Sequence, residues 1–359
     1  MLYIIIINKC CSIKGGGRLT NPAATYVKKL LEHACSVNAS DIHFHPLPNK
    51  DKINVYYRIF GKRHFIRSFT NSLFQMILTH LKFTSGMDIG EIRLPQNGIL
   101  PYTNNMNQSF SLRLSTLPLT DKESMTIRIL PQEEQRTLED LFLFPTQSKK
   151  IKSWLSHSSG VILLTGPTGC GKTTTMYSLL ESKLKESSFQ AITLEDPIEK
   201  RLDDVLQVEV NETAGITYQT GLKAALRHDP DILLIGEIRD QQTAEFAFRA
   251  SLTGHLVLST LHAKDAKGTI DRLLDLGIDR LELSQTLIAV AAIELLPIEK
   301  NGKTSRRAAI VELLEKEVLS QIIQGDEQSV LNKYHSFNYL REKAYLYGFI
   351  SKEVFEESN

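Results

Sequence analysis

Residues 166–173 read Gly166, Pro167, Thr168, Gly169, Cys170, Gly171, Lys172 and Thr173, the G-x-x-x-x-G-K-[ST] spacing that suits phosphate binding. Glycines let the backbone wrap an anion with its amide hydrogens pointing inward. The lysine reaches the terminal phosphates, and the hydroxyl after it is a hard oxygen donor for Mg²⁺. Thr174 completes the candidate nucleotide-binding set. The context fits, since an apolar run at 161–165 precedes the loop as a strand and a helix is expected from Thr173 onward. Cys170 is a departure. A helix N-terminus can lower a thiol pKa and sensitise it to oxidation; the alternative is a passive small side chain.

Hydrolysing a nucleotide also requires an acid to hold metal and a group to orient or deprotonate water. Two apolar strands end in acids. Residues 191–194 run into Glu195, Asp196, Pro197, Ile198 and Glu199, three carboxylates on a turn fixed by proline. Residues 232–235 run into Gly236 and Glu237, so glycine stands where a Walker-B aspartate is expected and Glu237 is placed to hold Mg²⁺ through water.

These groups need a scaffold. Short apolar runs at 161–165, 191–194, 205–210, 232–235 and 256–259 alternate with helical segments, the order of a mainly parallel sheet flanked by helices. After Ala266 the chain reads as helical to its end. Upstream, Tyr26, Leu30, Leu31 and Ala34 recur at helical spacing, and Leu73, Ile77, Leu78 and Leu81 mark a second helix. Residues 53–60 alternate as a strand, as do those around Leu112 and Ile127, which turns Arg113 and Arg128 away from the core face. The proline-bounded charged stretch 132–147 reads as a linker. The expected organisation is a tail at 1–20 outside the fold, an N-terminal α/β domain at 21–131, the linker, and a larger domain at 148–359.

With 359 residues the chain exceeds what one hydrophobic core usually supports, which favours two domains. Lys and Arg number 42 against 41 Asp and Glu, a net charge of +1 that gives no whole-chain attraction to nucleic acid, so no direct nucleic-acid binding is expected. Four cysteines without C-x-x-C spacing suit a reducing compartment. The apolar opening at 2–7 is too short to span a bilayer, and the expectation is a cytoplasmic protein.

In order along the chain, Ser40 to His43, Met87 to Gly90 with Pro95 to Gly98, Arg113 to Pro118, the phosphate loop, Glu195 to Glu199, Gly236 to Asp240, and Thr253 to His255 with Leu261 and His262 resemble the secretion and type IV pilus motor ATPases. That family includes general-secretion E proteins and pilus extension and retraction motors. The short chain, starting close to the second N-terminal domain, looks most like the family's competence ATPases. The resemblance implies a PAS-like α/β N-terminal domain followed by a RecA-like P-loop ATPase domain with a helical C-terminal part, assembled as a homo-hexamer. ATP with Mg²⁺ would be held by Thr173 and Glu237, Glu199 would be the general base, His255 and His262 would sense the γ-phosphate, and Arg113 and Arg128 would reach the phosphates.

By the same resemblance, the protein would work on a polytopic membrane platform protein at the inner face of the cytoplasmic membrane, powering a competence pilus or pseudopilus for DNA uptake. The alternatives are a type II secretion or type IV pilus ATPase of another system, and a nucleotide-switched scaffold with little turnover. Two departures stand out. The stretch 294–307, where many relatives carry a four-cysteine zinc site, has no cysteine, so no zinc is expected and a shorter loop is expected in its place. The family's Gln-Arg-Leu after a helix at 289–292 is here Ile293, Glu294 and Leu295, an acid for a base. His43 and His45 lack a third ligand and read as strand-surface residues, while Lys62 to His64 and Lys303 to Arg307 read as solvated loops.

Overall fold

A computed structural model describes residues 22–48, 50–120, 122–132, 137–186, 189–300, 303–326 and 334–357; the tail expected at 1–20 lies outside them. The chain divides into two compact units, Met1–Glu133 and Glu134–Asn359.

The first unit contains α1 (Pro22–Ser36), β1 (Ala39–Pro46), β2 (Ile53–Ile59), β3 (Lys62–Phe69), α2 (Asn71–Thr84), β4 (Gln96–Thr103), β5 (Ser109–Pro118) and β6 (Glu123–Pro131). The strands form one antiparallel sheet in the order β3-β2-β1-β6-β5-β4. Alternation buries Ile53, Val55 and Tyr57 on one face, where Leu30 and Leu31 of α1 and Phe74, Ile77 and Leu81 of α2 cover them. The Tyr57 hydroxyl donates to Leu30 O at 2.8 Å, which satisfies a polar atom inside this core.

The sheet has more strands than the alternation announced. The polar positions Asp41, His43 and His45 of β1 hide its alternation. β3 opens with Lys62, Arg63 and His64, which therefore belong to a charged edge strand rather than a loop. β4 carries Gly98 and Pro101, tolerated because it is the other edge. Arg113 and Arg128 are register partners across β5 and β6, opposite the face that buries Leu112 and Ile127. Arg128 Nε donates to Asp41 Oδ1 at 3.0 Å.

The second unit contains α3 (Leu138–Leu141), α4 (Pro145–Trp154), β7 (Gly160–Thr165), α5 (Lys172–Glu186), β8 (Ala191–Glu195), β9 (Val205–Glu209), α6 (Tyr218–Ala225), β10 (Ile232–Ile235), α7 (Gln241–Leu252), β11 (Leu256–Leu261), α8 (Ala266–Asp275), α9 (Arg280–Thr286), β12 (Leu287–Lys300), β13 (Lys303–Glu315), α10 (Lys316–Gln324), α11 (Phe337–Leu346) and α12 (Lys352–Glu357). Its sheet runs β13-β12-β7-β11-β10-β8-β9, parallel throughout except for β13. Every residue of β7, β8, β10 and β11 is buried, as strands covered on both faces require. Trp154, Met176 and Leu180 pack one face, and Phe248, Ile270 and Leu340 the other.

Three expectations are corrected here. The chain after Ala266 is not all helical: Leu287–Lys300 and Lys303–Glu315 pair as antiparallel strands, and 289–292, read as a helix, lies in β12 beside β7. A short, fully buried apolar run carries no period that separates helix from strand. Residues 294–300 and 303–307 accordingly lie in strands rather than in a loop, which includes Lys303 to Arg307. Finally, the linker expected at 132–147 is largely part of the second unit. Leu138, Phe142 and Phe144 are buried, and Leu143 N donates to Ala309 O at 2.8 Å.

Candidate active site

The phosphate loop leaves the end of β7, where Thr165 Oγ1 donates to Leu261 O at 2.9 Å and ties the loop's root to β11. Gly166 sits at φ +138°, Gly169 at +79° and Gly171 at +97°, conformations that favour glycine. Gly166 is doubly determined, because a Cβ there would lie 2.6 Å from Ile293 O on β12 and 2.8 Å from Cys170 Sγ. Cys170 is buried, and that burial pushes its thiol pKa up, overriding the pull of Lys172. Of the two roles open to it, the passive one fits.

Lys172 begins α5 and is buried; Nζ donates to Gly166 O at 2.7 Å and Pro167 O at 3.1 Å. Burial lowers its pKa, while the charges of Cys170, Glu237 and Glu199 pull it back up. The strand ends deliver the rest. His262, just past β11, has Nδ1 at 3.5 Å from Lys172 Nζ and Nε2 at 3.2 Å from Glu237 Oε1. An ammonium can only donate, so Nδ1 accepts and Nε2–H faces the carboxylate. Glu237, after β10, also accepts from Arg239 Nε at 3.0 Å, and Arg239 Nη1 donates to Asp196 Oδ2 at 3.1 Å. A continuous polar row thus runs from the phosphate loop to the turn after β8. At Gly236, a Cβ would approach Glu195 Cα and Leu194 O to 3.3 Å, so the strand ends pack where an aspartate side chain would have to fit.

Among the three acids of that turn, the structure separates roles. Glu195 is 2% exposed and fully engaged: Thr193 Oγ1 donates to it at 2.7 Å, Gln207 Nε2 at 3.3 Å, and the Tyr177 hydroxyl donates to its Oε2. Tyr177 also accepts from Glu199 N at 3.3 Å, so a residue of the phosphate-loop helix fixes the backbone that carries Glu199. Burial and the neighbouring Glu195 charge raise the Tyr177 pKa, which keeps it protonated as a donor. Sequence reasoning missed Tyr177, although its position four residues after Thr173 on one helix face was a usable signal.

Lys172, Glu237 and His262 are brought together. His255 is not. It precedes β11, its carbonyl accepts from Gly160 N at the start of β7 at 3.2 Å, and its Nδ1 lies 3.0 Å from Ala250 O. Six residues of strand, roughly 20 Å, separate it from His262 and the phosphate loop. Arg113 and Arg128 belong to the first unit. Glu294 forms a bidentate pair with Arg341 of α11, at 2.9 and 2.6 Å, so the acid that replaces the family's base has a basic partner.

The donor chemistry at the loop fits Mg²⁺. The Thr173 hydroxyl and the Glu237 carboxylate are hard oxygens, and Mg²⁺ takes few protein ligands and completes its shell with phosphate and water. Among the described residues no group of three or more His, Cys, Asp and Glu side chains could hold a metal by itself.

Residues 19–344 match the family described as type II/IV secretion system protein. The chain belongs to that family. Competence protein ComGA of Bacillus subtilis (strain 168) is 43% identical over 344 residues, covering 92% of this chain and 96% of ComGA. A crystal structure of the pilus retraction motor PilT with bound ADP superposes with a TM-score of 0.68 at 27% identity, covering 93% of this chain and 96% of PilT. The fold is shared with the Legionella pneumophila ATPase DotB, with a TM-score of 0.76 at 21% identity over 96% and 97% of the two chains. This type II/IV secretion system protein is an ATP-hydrolysing P-loop enzyme, a motor ATPase of the pilus and secretion class with a RecA-like ATPase domain behind an N-terminal α/β domain.

Proposed function

We propose that the protein is a homo-hexameric motor that hydrolyses ATP to power a competence pilus or pseudopilus for DNA uptake, working from the cytoplasm on a polytopic membrane platform protein. Similarity to ComGA along nearly its whole length supports the competence assignment. No described helix is long and apolar enough to cross a membrane, so a separate membrane-embedded platform would take up the work. The near-zero net charge supports a motor that moves the uptake machine without gripping DNA.

The observation that carries the reaction is the row of Lys172, His262 and Glu237 at the loop, with Glu199 beside it. Lys172 and the loop amides bind the phosphates. Mg²⁺ held by Thr173 and Glu237 supplies charge neutralisation when bound. His262, already linked to Lys172 and Glu237, senses the γ-phosphate. Glu195 is buried and accepts from Thr193, Gln207 and Tyr177, whereas the charge of Glu199 bears on Lys172 at the phosphate loop, which supports Glu199 as the general base that the family resemblance implies. Arg113 and Arg128 add positive charge as the ring closes. Catalysis is then positioning and electrostatics around an in-line water.

Glu199→Gln should bind ATP like the parent and slow single-turnover hydrolysis by about 10²-fold or more. A wild-type single-turnover rate would reject Glu199 as the base.

A further inference from the structure

Past the end of β10 the backbone stays locked between its neighbours. Gly236 N donates to Leu194 O at 2.8 Å, Thr260 Oγ1 donates to Gly236 O at 2.7 Å, and Ile238 N donates to Thr260 O at 2.8 Å. Ile238 is buried, and Asp240 caps α7 by accepting from Thr243 N at 2.8 Å. Arg239 lies between that buried anchor and that cap, so its side chain leaves from a fixed backbone. Its guanidinium reaches acids at the ends of two strands: Nε donates to Glu237 Oε2 at 3.0 Å and Nη1 donates to Asp196 Oδ2 at 3.1 Å. A planar fork holds two carboxylates in a set geometry, which a point-like ammonium does not.

The two ends of this bridge do different things. Glu237 is contacted on both oxygens, since His262 Nε2 stands 3.2 Å from Oε1 while Arg239 takes Oε2. With Nδ1 accepting from Lys172, the imidazole presents a neutral N–H, so the positive charge in direct contact with this carboxylate comes from Arg239. A cation drawn to Glu237 meets that charge first. At the other end, Asp196 opens the turn that carries Glu199, whose backbone N–H donates to the Tyr177 hydroxyl at 3.3 Å. Arg239 thus ties the acid that suits Mg²⁺ to the turn that suits the base.

We propose that Arg239 is a positioning residue with two separable effects: its charge competes with Mg²⁺ for Glu237, and its fork holds the turn from Asp196 to Glu199 in place beside Glu237. This inference rests on the proposed roles of Glu237 toward Mg²⁺ and of Glu199 as the base.

Calorimetric titration of the full chain with a non-hydrolysable ATP analogue at rising free Mg²⁺, beside a steady-state phosphate-release assay, reads the two effects separately. In Arg239→Gln the Mg²⁺ concentration that gives half of its effect on analogue affinity should fall about three- to tenfold, because His262 still orients Glu237 and the competing charge is gone. Its kcat should fall about tenfold as the turn loosens. Arg239→Lys keeps the charge and loses the fork, so it should show the parent's Mg²⁺ dependence together with the lowered kcat. The Arg239 side chain is half-exposed, so both substitutions leave the core intact. Asp196→Asn should lower kcat alone, and adding Arg239→Gln to it should lower kcat little further. Glu237→Gln should remove most of the Mg²⁺ dependence, and if it did not, the metal role of Glu237 would fall and this inference with it. If Glu237→Gln behaved as expected, a parent-like Mg²⁺ dependence in Arg239→Gln, a shift in Arg239→Lys equal to that in Arg239→Gln, or fully additive losses of kcat would each refute the role of Arg239 alone.

Discussion

Tyr177→Phe isolates one hydroxyl. The ring stays, so packing in the core around Met176 and Leu180 is kept, and what disappears is the donor to buried Glu195 and the acceptor for Glu199 N. A hydrogen bond to a charged group contributes about 1.5–3 kcal/mol. Glu195 keeps Thr193 and Gln207, so the lower part of that range applies, about 2 kcal/mol. In a folding unit of 150–250 residues each kcal/mol moves Tm by about 2–4 °C, which predicts a fall of about 4–8 °C. The released Glu199 backbone should lower kcat, while KM for ATP changes little because the loop itself is untouched. Thermal unfolding read by near-UV dichroism and a steady-state phosphate-release assay measure the two effects. A variant melting within about 1 °C of the parent with unchanged kcat would refute the idea that Tyr177 couples the loop helix to the Glu199 turn.

Arg341→Ala should destabilise by about 1–3 kcal/mol in denaturant unfolding, because it leaves the half-buried Glu294 unpaired, and adding Glu294→Gln should recover part of that loss. No recovery would mean the two side chains are not coupled. Glu312 is buried and accepts from Ala266 N at 3.1 Å and Phe337 N at 2.6 Å, and burial raises its pKa against those bonds. The folded state therefore holds this proton at pH values where the unfolded chain has lost it, so stability falls as pH rises from the ordinary carboxylate value through the raised one. Glu312→Gln should flatten that limb of a stability–pH profile; a profile identical to the parent's would show that Glu312 does not set it.

What the sequence disclosed followed from chemistry with a rigid spacing. The phosphate loop could be placed to the residue because glycine and lysine positions there admit no substitutes, and β8, β10 and β11 were visible because a parallel strand buried on both faces is an uninterrupted apolar run. The strands that were harder to delimit lack such a mark. Asp41 interrupts β1 with a charge whose ion-pair partners, Arg58 and Arg128, arrive only on β2 and, 87 residues later, on β6, and β12 has the composition of a buried helix. Tyr177, Glu195 and the pair of Glu294 with Arg341 depend on contacts between distant segments, which no local period records. His255 shows the reverse hazard: seven residues from His262 within one motif, it is carried to the far end of the sheet because a strand lies between them.

The close approach of Ile293 to Gly166 has a consequence for biosynthesis. The phosphate loop leaves the ribosome well over a hundred residues before the strand against which it is pressed. Until β12 arrives, β7 has an open edge and the loop lacks one wall, so a nascent chain carries the whole signature string without a finished nucleotide site. Affinity for ATP should therefore switch on late in translation, when β12 and β13 join the sheet.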